Sequence, residues 1–312
     1  MAVKRYRYLF GPVPSRRFGR SLGVDLTPYK TCNQDCVFCQ LGKTTNLTLS
    51  RGEYVPIREV KAELEDWLRA DGEADYITLS GSGEPTLHSR FGEVLDFIRS
   101  SCRIPAVLLT NGAMLDLKEV QEAACCANVV KASLSAWDQT SYQWVNRPHP
   151  GLDFRRVVEG QKAFRDRFRG DLWIEVFLIP GVNSMPADVR AIAALTEQIR
   201  PNRIHLNTAV RPAAEDFVSP LSRERVQSLA HLFHPAAEVI ADFTAKKRID
   251  MRAAEEEVFA MLRRRPCTAS EIAATFGMHL NEVSKYLGDL VRRERVQVRR
   301  SDRSIYYSAR GE

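Results

Sequence analysis

The 312-residue sequence contains no apolar run long enough for a membrane-spanning helix, which argues against an integral helical membrane protein. It has no low-complexity tract, and 44% apolar with 27% charged residues is ordinary for a folded chain, so a disordered protein is not expected. The opening MAVKRYRYLFG holds no apolar core of signal-peptide length, so the expected location is cytoplasmic, with no membrane partner. In that compartment thiols stay reduced, and the seven cysteines are not expected to form a disulfide framework. Cys102, Cys125, Cys126 and Cys267 lie apart from the cysteines at 32, 36 and 39 and read as small buried apolar residues. The most informative scarcity is local. Cys32, Cys36 and Cys39 stand close together in TCNQDCVFCQ, and no fourth cysteine, second CxxC or histidine pair follows nearby.

The charge is uneven. Residues 1–30 carry +6, residues 246–312 carry +5, and the middle is left at −5 of the total +6. Basic ends around a mildly acidic body fit an anionic partner or substrate, or simply two solvated faces.

After residue 20, β-branched runs alternate with amphipathic stretches. Strands are expected at 22–26, 75–81, 106–111, 128–135, 172–179 and 203–208, with helices near 57–70, 89–101, 117–125, 153–168 and 186–199. Six βα units form an α/β fold with a parallel sheet, either doubly wound or an incomplete barrel. In both, chemistry sits at the carboxyl ends of the strands. The cysteine loop, Gly81 to Pro85, Thr110 to Gly112, Ser133, Ser135, Asn207 and Thr208 all fall on that rim. The domain reading is residues 1–210 for this unit, 211–249 as a connecting segment with one helix, and 250–312 as a separate tail. In the tail, three helical patterns followed by VQVRRSDRSIYYS read as a small winged helix-turn-helix domain.

Three thiolates in one loop can hold three irons of a cubane [4Fe–4S] cluster and leave the fourth iron open to an outside ligand. The alternatives are a zinc site, which would need a fourth ligand, or incidental thiols.

Cys32-x3-Cys36-x2-Cys39, with Phe38 before the last cysteine, resembles the signature of the radical S-adenosylmethionine (SAM) enzymes. The resemblance extends over residues 8–210 and includes the βα order. It implies a partial (β/α)6 barrel, a [4Fe–4S] cluster on the three cysteines, and SAM chelated to the open iron. It also implies reductive cleavage of SAM to a 5′-deoxyadenosyl radical, and a one-electron reductant of flavodoxin or ferredoxin type as a partner. Gly81-Ser82-Gly83-Glu84-Pro85 is similar to the family's glycine-rich turn, whose carbonyls face the methionyl ammonium, and Glu84 would add a negative partner. By the same resemblance Phe38 would adjoin the adenine, and Ser133 and Ser135 the ribose. Asn111, Glu175 and Asn207 are further cofactor candidates.

Gly11-Pro12-Val13-Pro14-Ser15-Arg16-Arg17 and LGVDLTPYKTC resemble the branch that builds wyosine bases in tRNA. Arg16 and Arg17, beside a proline-fixed loop, are candidates to clamp a phosphate or carboxylate of the substrate. The sequence departs from that branch in having no second cysteine triplet upstream. In the tail, helix 279–294 would be the recognition element. Lys285, Arg292, Arg293 and Arg295 would lie near phosphates, and Arg299, Arg300 and Arg303 on or beside the wing. One of Tyr306 and Tyr307 should face the core. Three functions follow in order: radical modification of a nucleotide in RNA, with tRNA the candidate; radical modification of a protein, peptide or small metabolite with the tail as docking module; and a redox-sensing DNA-binding regulator.

Overall fold

The computed structural model describes residues 6–15, 17–209, 213–240, 255–276, 283, 287, 290–291, 293–301 and 304–310. It opens with an antiparallel hairpin, β1 (Leu9–Ser15) and β2 (Gly19–Val24). GPVPS is thus strand rather than loop. β1 is a sheet edge, the position where Pro12 and Pro14 need not supply ladder hydrogen bonds. A two-residue parallel ribbon, β3 (Thr31–Cys32) beside β4 (Asn46–Leu47), follows.

The βα units come next: α1 (Ile57–Arg69), β5 (Tyr76–Leu79), α2 (Phe91–Ser101), β6 (Ala106–Leu109), α3 (Lys118–Ala124), β7 (Val129–Ser133), α4 (Gln139–Asn146), α5 (Phe154–Arg167), β8 (Asp171–Leu178), α6 (Pro186–Ile199), β9 (Arg203–Thr208), α7 (Arg223–Ala230) and β10 (Glu238–Val239). Each of the six expected strands is present, and α4 is an addition. The sheet order is β1-β2-β5-β6-β7-β8-β9-β10, with every pairing from β2 onward parallel. New strands always add on the same side, so the order never reverses as a doubly wound sheet requires. Right-handed crossovers then put the helices on one face, and the other face curls into the interior of a partial (β/α)6 barrel. The sheet also runs past residue 210. β10 pairs with β9 and comes from the segment read as a connection.

Helix packing follows from side-chain spacing. α1 buries Ile57, Val60, Leu64 and Trp67, an i, i+3, i+7, i+10 stripe against the sheet. At roughly 1.5–3 kcal/mol per buried large apolar side chain, this stripe outweighs propensity differences of a few tenths per residue. Strand alternation divides β7: Val130 and Ala132 join the helix-side core, while Lys131 and Ser133 line the barrel interior. The barrel floor is a small apolar cluster of Phe18, Val107, Val129 and Trp173, with the Phe18 and Trp173 rings stacked 5.1 Å apart.

The C-terminal unit contains α8 (Glu255–Arg264), β11 (Cys267–Thr268), α9 (Ala269–Phe276), β12 (Val296–Ser301) and β13 (Ser304–Ala309). Its sheet runs β11-β13-β12 and covers a separate core that includes Val258, Ile272, Phe276, Val283, Leu287 and Leu290. Tyr307 packs on this core, as hairpin alternation requires. Most of the expected helix 279–294 lies outside the described residues. α8 meets the barrel at its β1 edge, where the Arg264 guanidinium sits 4.4 Å over the Phe10 ring. No helix among the described residues is long and apolar enough to cross a membrane.

Candidate active site

The cysteine loop is pinned at its neck and along one flank. Thr48 N donates to Cys32 O (2.9 Å), and Thr44 N donates to Asp35 Oδ1 (2.6 Å). The flank rests on α4. Asp35 N donates to Asn146 O (3.1 Å), Val37 N to Val145 O (3.1 Å) and Gln34 Nε2 to Tyr142 Oη (2.6 Å). Donors also face the sulfurs: Lys30 Nζ is 3.1 Å from Cys39 Sγ, Asn146 Nδ2 is 3.3 Å from Cys36 Sγ, and Asn111 Nδ2 is 3.7 Å from Cys32 Sγ.

Burial, reinforced by Glu84, pushes the Cys32 thiol up to about 12, and burial with the two neighbouring cysteines pushes Cys36 up as well. Bare, these are protonated thiols, and metal would bind by displacing their protons. Among the described residues no three His, Cys, Asp or Glu side chains converge on one ion. Three thiols ringed by N–H donors fit a cluster of several metal atoms better than a single zinc.

The glycine-rich turn fits against this loop without room for side chains. A Cβ at Gly83 would overlap the Thr31 carbonyl oxygen, and one at Gly81, where φ is +152°, would overlap the Asp25 carboxyl. Asp25 in turn accepts from Ser82 N (3.0 Å) and Ser82 Oγ (2.5 Å). Glu84 is 3% exposed and ties three segments together. Its Oε1 accepts from Thr86 N (3.1 Å), Thr86 Oγ1 (2.7 Å) and Thr110 Oγ1 (2.6 Å), and its Oε2 from Asn111 N (2.8 Å). Glu84 therefore already caps the short turn Pro85–Leu87 and locks the end of β6 beside Cys32. Asn111, bonded through Nδ2 to Asn33 Oδ1 (2.6 Å), belongs to the same assembly.

A cavity of about 380 Å³ runs from the cysteine loop down the barrel. At its mouth are Cys39 and Phe38, whose ring stacks on Phe177 at 4.3 Å. Ser133 and Ser135 line it, and Ser135 Oγ also accepts from Phe177 N (2.9 Å). Below them lies a charged layer. Glu175 pairs with Arg17, with Lys131 Nζ (2.8 Å), and with Asn207 Nδ2 (2.8 Å). Burial opposes the Glu175 charge, but Arg17 and Lys131 outweigh it and hold the carboxyl well below its usual range. His205, beside this layer, is held down at about 4 by burial and by Arg17. The Arg17 Nε is buried with no hydrogen-bond partner.

The structure thus brings Phe38, Ser133, Ser135, Glu175, Asn207 and Arg17 to one chamber beside the cysteines, with the turn 81–84 and Asn111 at its rim. Arg16, Lys285, Arg292 and Arg303 lie outside the described residues, and Arg300 is described only as part of β12. Arg295 is stacked 3.8 Å over Phe259, and Arg299 donates to Ala213 O (3.2 Å) and pairs with Asp216, so both already have contacts within the protein.

Sequence reasoning missed Lys131, Lys30, Asn146 and Arg265. Lys131 had a signal, a lone charge inside the apolar run VVKAS. Arg265 contributes to the barrel cavity and also to a groove of about 200 Å³ between the cysteine loop and the C-terminal unit. Arg263, Arg299, Tyr306 and Gln40 line that groove, and Gln40 is shared with the cavity.

Comparison with known proteins adds to this geometry. The profile of the radical SAM superfamily matches residues 26–193. A UPF0026 protein of Helicobacter pylori (strain 26695) is 30% identical over 99% of this chain and 100% of its own length. A Brachyspira hyodysenteriae protein named GTPase Obg is 32% identical over 93% of this chain, which spans 43% of that protein's length. Among solved structures, TYW1 with a lysine-pyruvate adduct bound superposes with a TM-score of 0.53 at 17% identity, covering 73% of this chain and 76% of that one. That last likeness is one of fold.

Proposed function

The chain belongs to the radical SAM superfamily, as an enzyme that uses a [4Fe–4S] cluster and SAM, and from that premise we propose that its substrate is a nucleotide within RNA. When bound, the cluster and SAM supply a single electron and a carbon radical strong enough to take a hydrogen atom from the substrate. Cys32, Cys36 and Cys39 would hold the cluster. Lys30, Asn111 and Asn146 direct N–H donors at their sulfurs and offset the negative charge gathered there. The turn at Gly81 and Gly83 provides close backbone approach for the methionyl end of SAM. Phe38 and Phe177 form an apolar lip that keeps water from the chamber. Enzymes of this family draw their electron from an external donor, and we assign that role to a protein of flavodoxin or ferredoxin type.

The observation that carries the RNA reading is the groove between the cysteine loop and the C-terminal unit. Arg263, Arg265 and Arg299 supply positive charge along it, and Tyr306 supplies an aromatic face for a base. It shares Arg265 and Gln40 with the barrel cavity, so a strand lying in it would reach the chamber. We read the C-terminal unit as a winged helix that presents RNA to the barrel.

The test is anaerobic turnover with dithionite and SAM, with and without bulk tRNA, followed by mass analysis of 5′-deoxyadenosine and of digested nucleosides. RNA should raise 5′-deoxyadenosine yield and gain a new mass. Binding should weaken with salt, and Arg263→Gln should lower the slope of log affinity against log salt by roughly 0.7. Salt-independent binding, or a peptide fraction that stimulates turnover where RNA does not, would overturn the reading.

A further inference from the structure

Lys30 stands two residues before the first cysteine of the triplet, and two of its features are unfavourable in themselves. It is 3% exposed, yet its side chain ends in an ammonium. Among the described residues that ammonium has one acceptor, Cys39 Sγ at 3.1 Å, and no carboxylate at ion-pair distance. A buried charge without an opposite partner is strongly disfavoured. The Lys30 backbone also lies in the left-handed region, at φ +56°, where glycine would be the unstrained choice. Such strain persists where the surroundings over-determine it, and it gathers at functional sites. Lys30 N donates to Ser82 O (2.7 Å), and Lys30 O accepts from Thr45 N (3.2 Å) and Asn46 N (3.1 Å). The residue is thus fixed between the glycine-rich turn and the neck of the cysteine loop, in a conformation that aims its side chain at a sulfur.

The three sulfurs are not treated alike. Asn111 and Asn146 offer neutral amides to Cys32 and Cys36 at 3.7 and 3.3 Å. Lys30 offers a full charge, at the shortest of the three distances. A charged donor makes a hydrogen bond roughly twice as strong as a neutral one. A fixed cation in a low-dielectric site also acts strongly on any charge that arrives beside it. Glu84 is the opposing influence: its carboxylate, held by four donors, sets a negative charge beside Cys32. We propose that Lys30 is a positioning residue for electron entry, which acts through Cys39 to raise the reduction potential of the cluster and so decides which donors can reduce it. This rests on reading Cys32, Cys36 and Cys39 as the cluster ligands, and it adds what sets the potential there. In the step concerned the external donor is oxidised by one electron and the cluster is reduced by one. No bond to Lys30 forms or breaks. Its ammonium keeps its proton and offsets part of the charge that the electron adds.

The test is an EPR-monitored redox titration of the anaerobically reconstituted full chain, without SAM. Lys30→Met, of similar length and no charge, should lower the ratio of reduced to oxidised cluster at a fixed potential by roughly tenfold. For a one-electron couple that is a midpoint about 59 mV more negative. Lys30→Arg keeps the charge and should recover most of the shift. Lys30→Gly suits the left-handed backbone and should keep the fold while losing the ammonium, so its midpoint should fall as that of Lys30→Met does. With a flavodoxin-type donor both uncharged variants should make less 5′-deoxyadenosine, and titanium(III) citrate, a stronger reductant, should close the gap. Wild-type midpoints in Lys30→Met and Lys30→Gly, or an Lys30→Arg midpoint as low as theirs, would overturn the proposal. Failure of both uncharged variants to retain iron would overturn it too, because Lys30 would then hold the cluster rather than tune it. A wild-type sample with no reducible iron–sulfur signal would instead defeat the ligand reading from which the proposal starts.

Discussion

Replacing Glu84 by alanine should damage the fold of the rim before it touches any ligand. The carboxylate accepts four hydrogen bonds at 2.6–3.1 Å while 3% exposed. In Glu84→Ala the two hydroxyls of Thr86 and Thr110 can rotate toward other acceptors. The backbone N–H groups of Thr86 and Asn111 cannot, and each buried donor left unpaired costs about 1–3 kcal/mol. Adding the lost contacts of the side chain, the expected destabilisation is roughly 3–5 kcal/mol. Urea unfolding followed by circular dichroism should show it as a lower midpoint at unchanged slope. Because Asn111 also faces Cys32 Sγ, iron retention after gel filtration should fall too. Glu84→Gln keeps one acceptor oxygen but turns an N–H toward Asn111 N, so its loss should be intermediate. A loss under about 1 kcal/mol in Glu84→Ala, with full iron content, would refute the view of Glu84 as a joint between three segments.

Alanine at any one of Cys32, Cys36 or Cys39 should abolish the broad visible absorbance of the reconstituted cluster and all 5′-deoxyadenosine; normal iron in all three variants would refute the ligand assignment. Gly83→Ala drives a Cβ into the Thr31 carbonyl oxygen, next to Cys32. Iron incorporation should drop and SAM binding weaken by tenfold or more, measured by perturbation of the cluster's EPR spectrum. His205 gives a pH dependence. Its folded ring protonates only near pH 4, against 6.5 for a free one. The unfolded chain therefore binds the proton first, and stability present at pH 7 is lost progressively as pH falls from 6.5 to 4, by up to about 3 kcal/mol. Urea midpoints at pH 7 and pH 5 should separate in the wild type and converge in His205→Phe. An equal separation in both proteins would show that another group titrates.

The alternation of βα units was legible because each switch of period is a local property. AVLLTN and NVVKASLS declare themselves as strands whatever packs on them. α4 was not legible. Its sequence QTSYQWVN buries only Ser141, Tyr142, Val145 and Asn146, and part of that face is covered by the cysteine loop, a partner distant in sequence. The cysteine triplet, the glycine turn and the rim serines could be read from spacing and strand position. Glu175 could be located, but its pairing with Arg17 and Lys131 depends on β7, β8 and the turn between β1 and β2 meeting in space. Arg265 is indistinguishable in sequence from Arg263 and Arg264, and the docking of α8 on β1 alone brings it to the cavity.

Arg17 and Arg265 also bear on how the molecule comes into being. The chamber draws side chains from both sides of the barrel, separated by most of the polypeptide. At about 5–20 residues per second the ribosome needs roughly 12–50 s to add the second after the first. Through most of that interval the strands from β5 to β10 are still being added, and only after β10 does α8 follow to dock on the β1 edge. The cysteine loop is thus synthesised well before α8 brings Arg265 to the cavity.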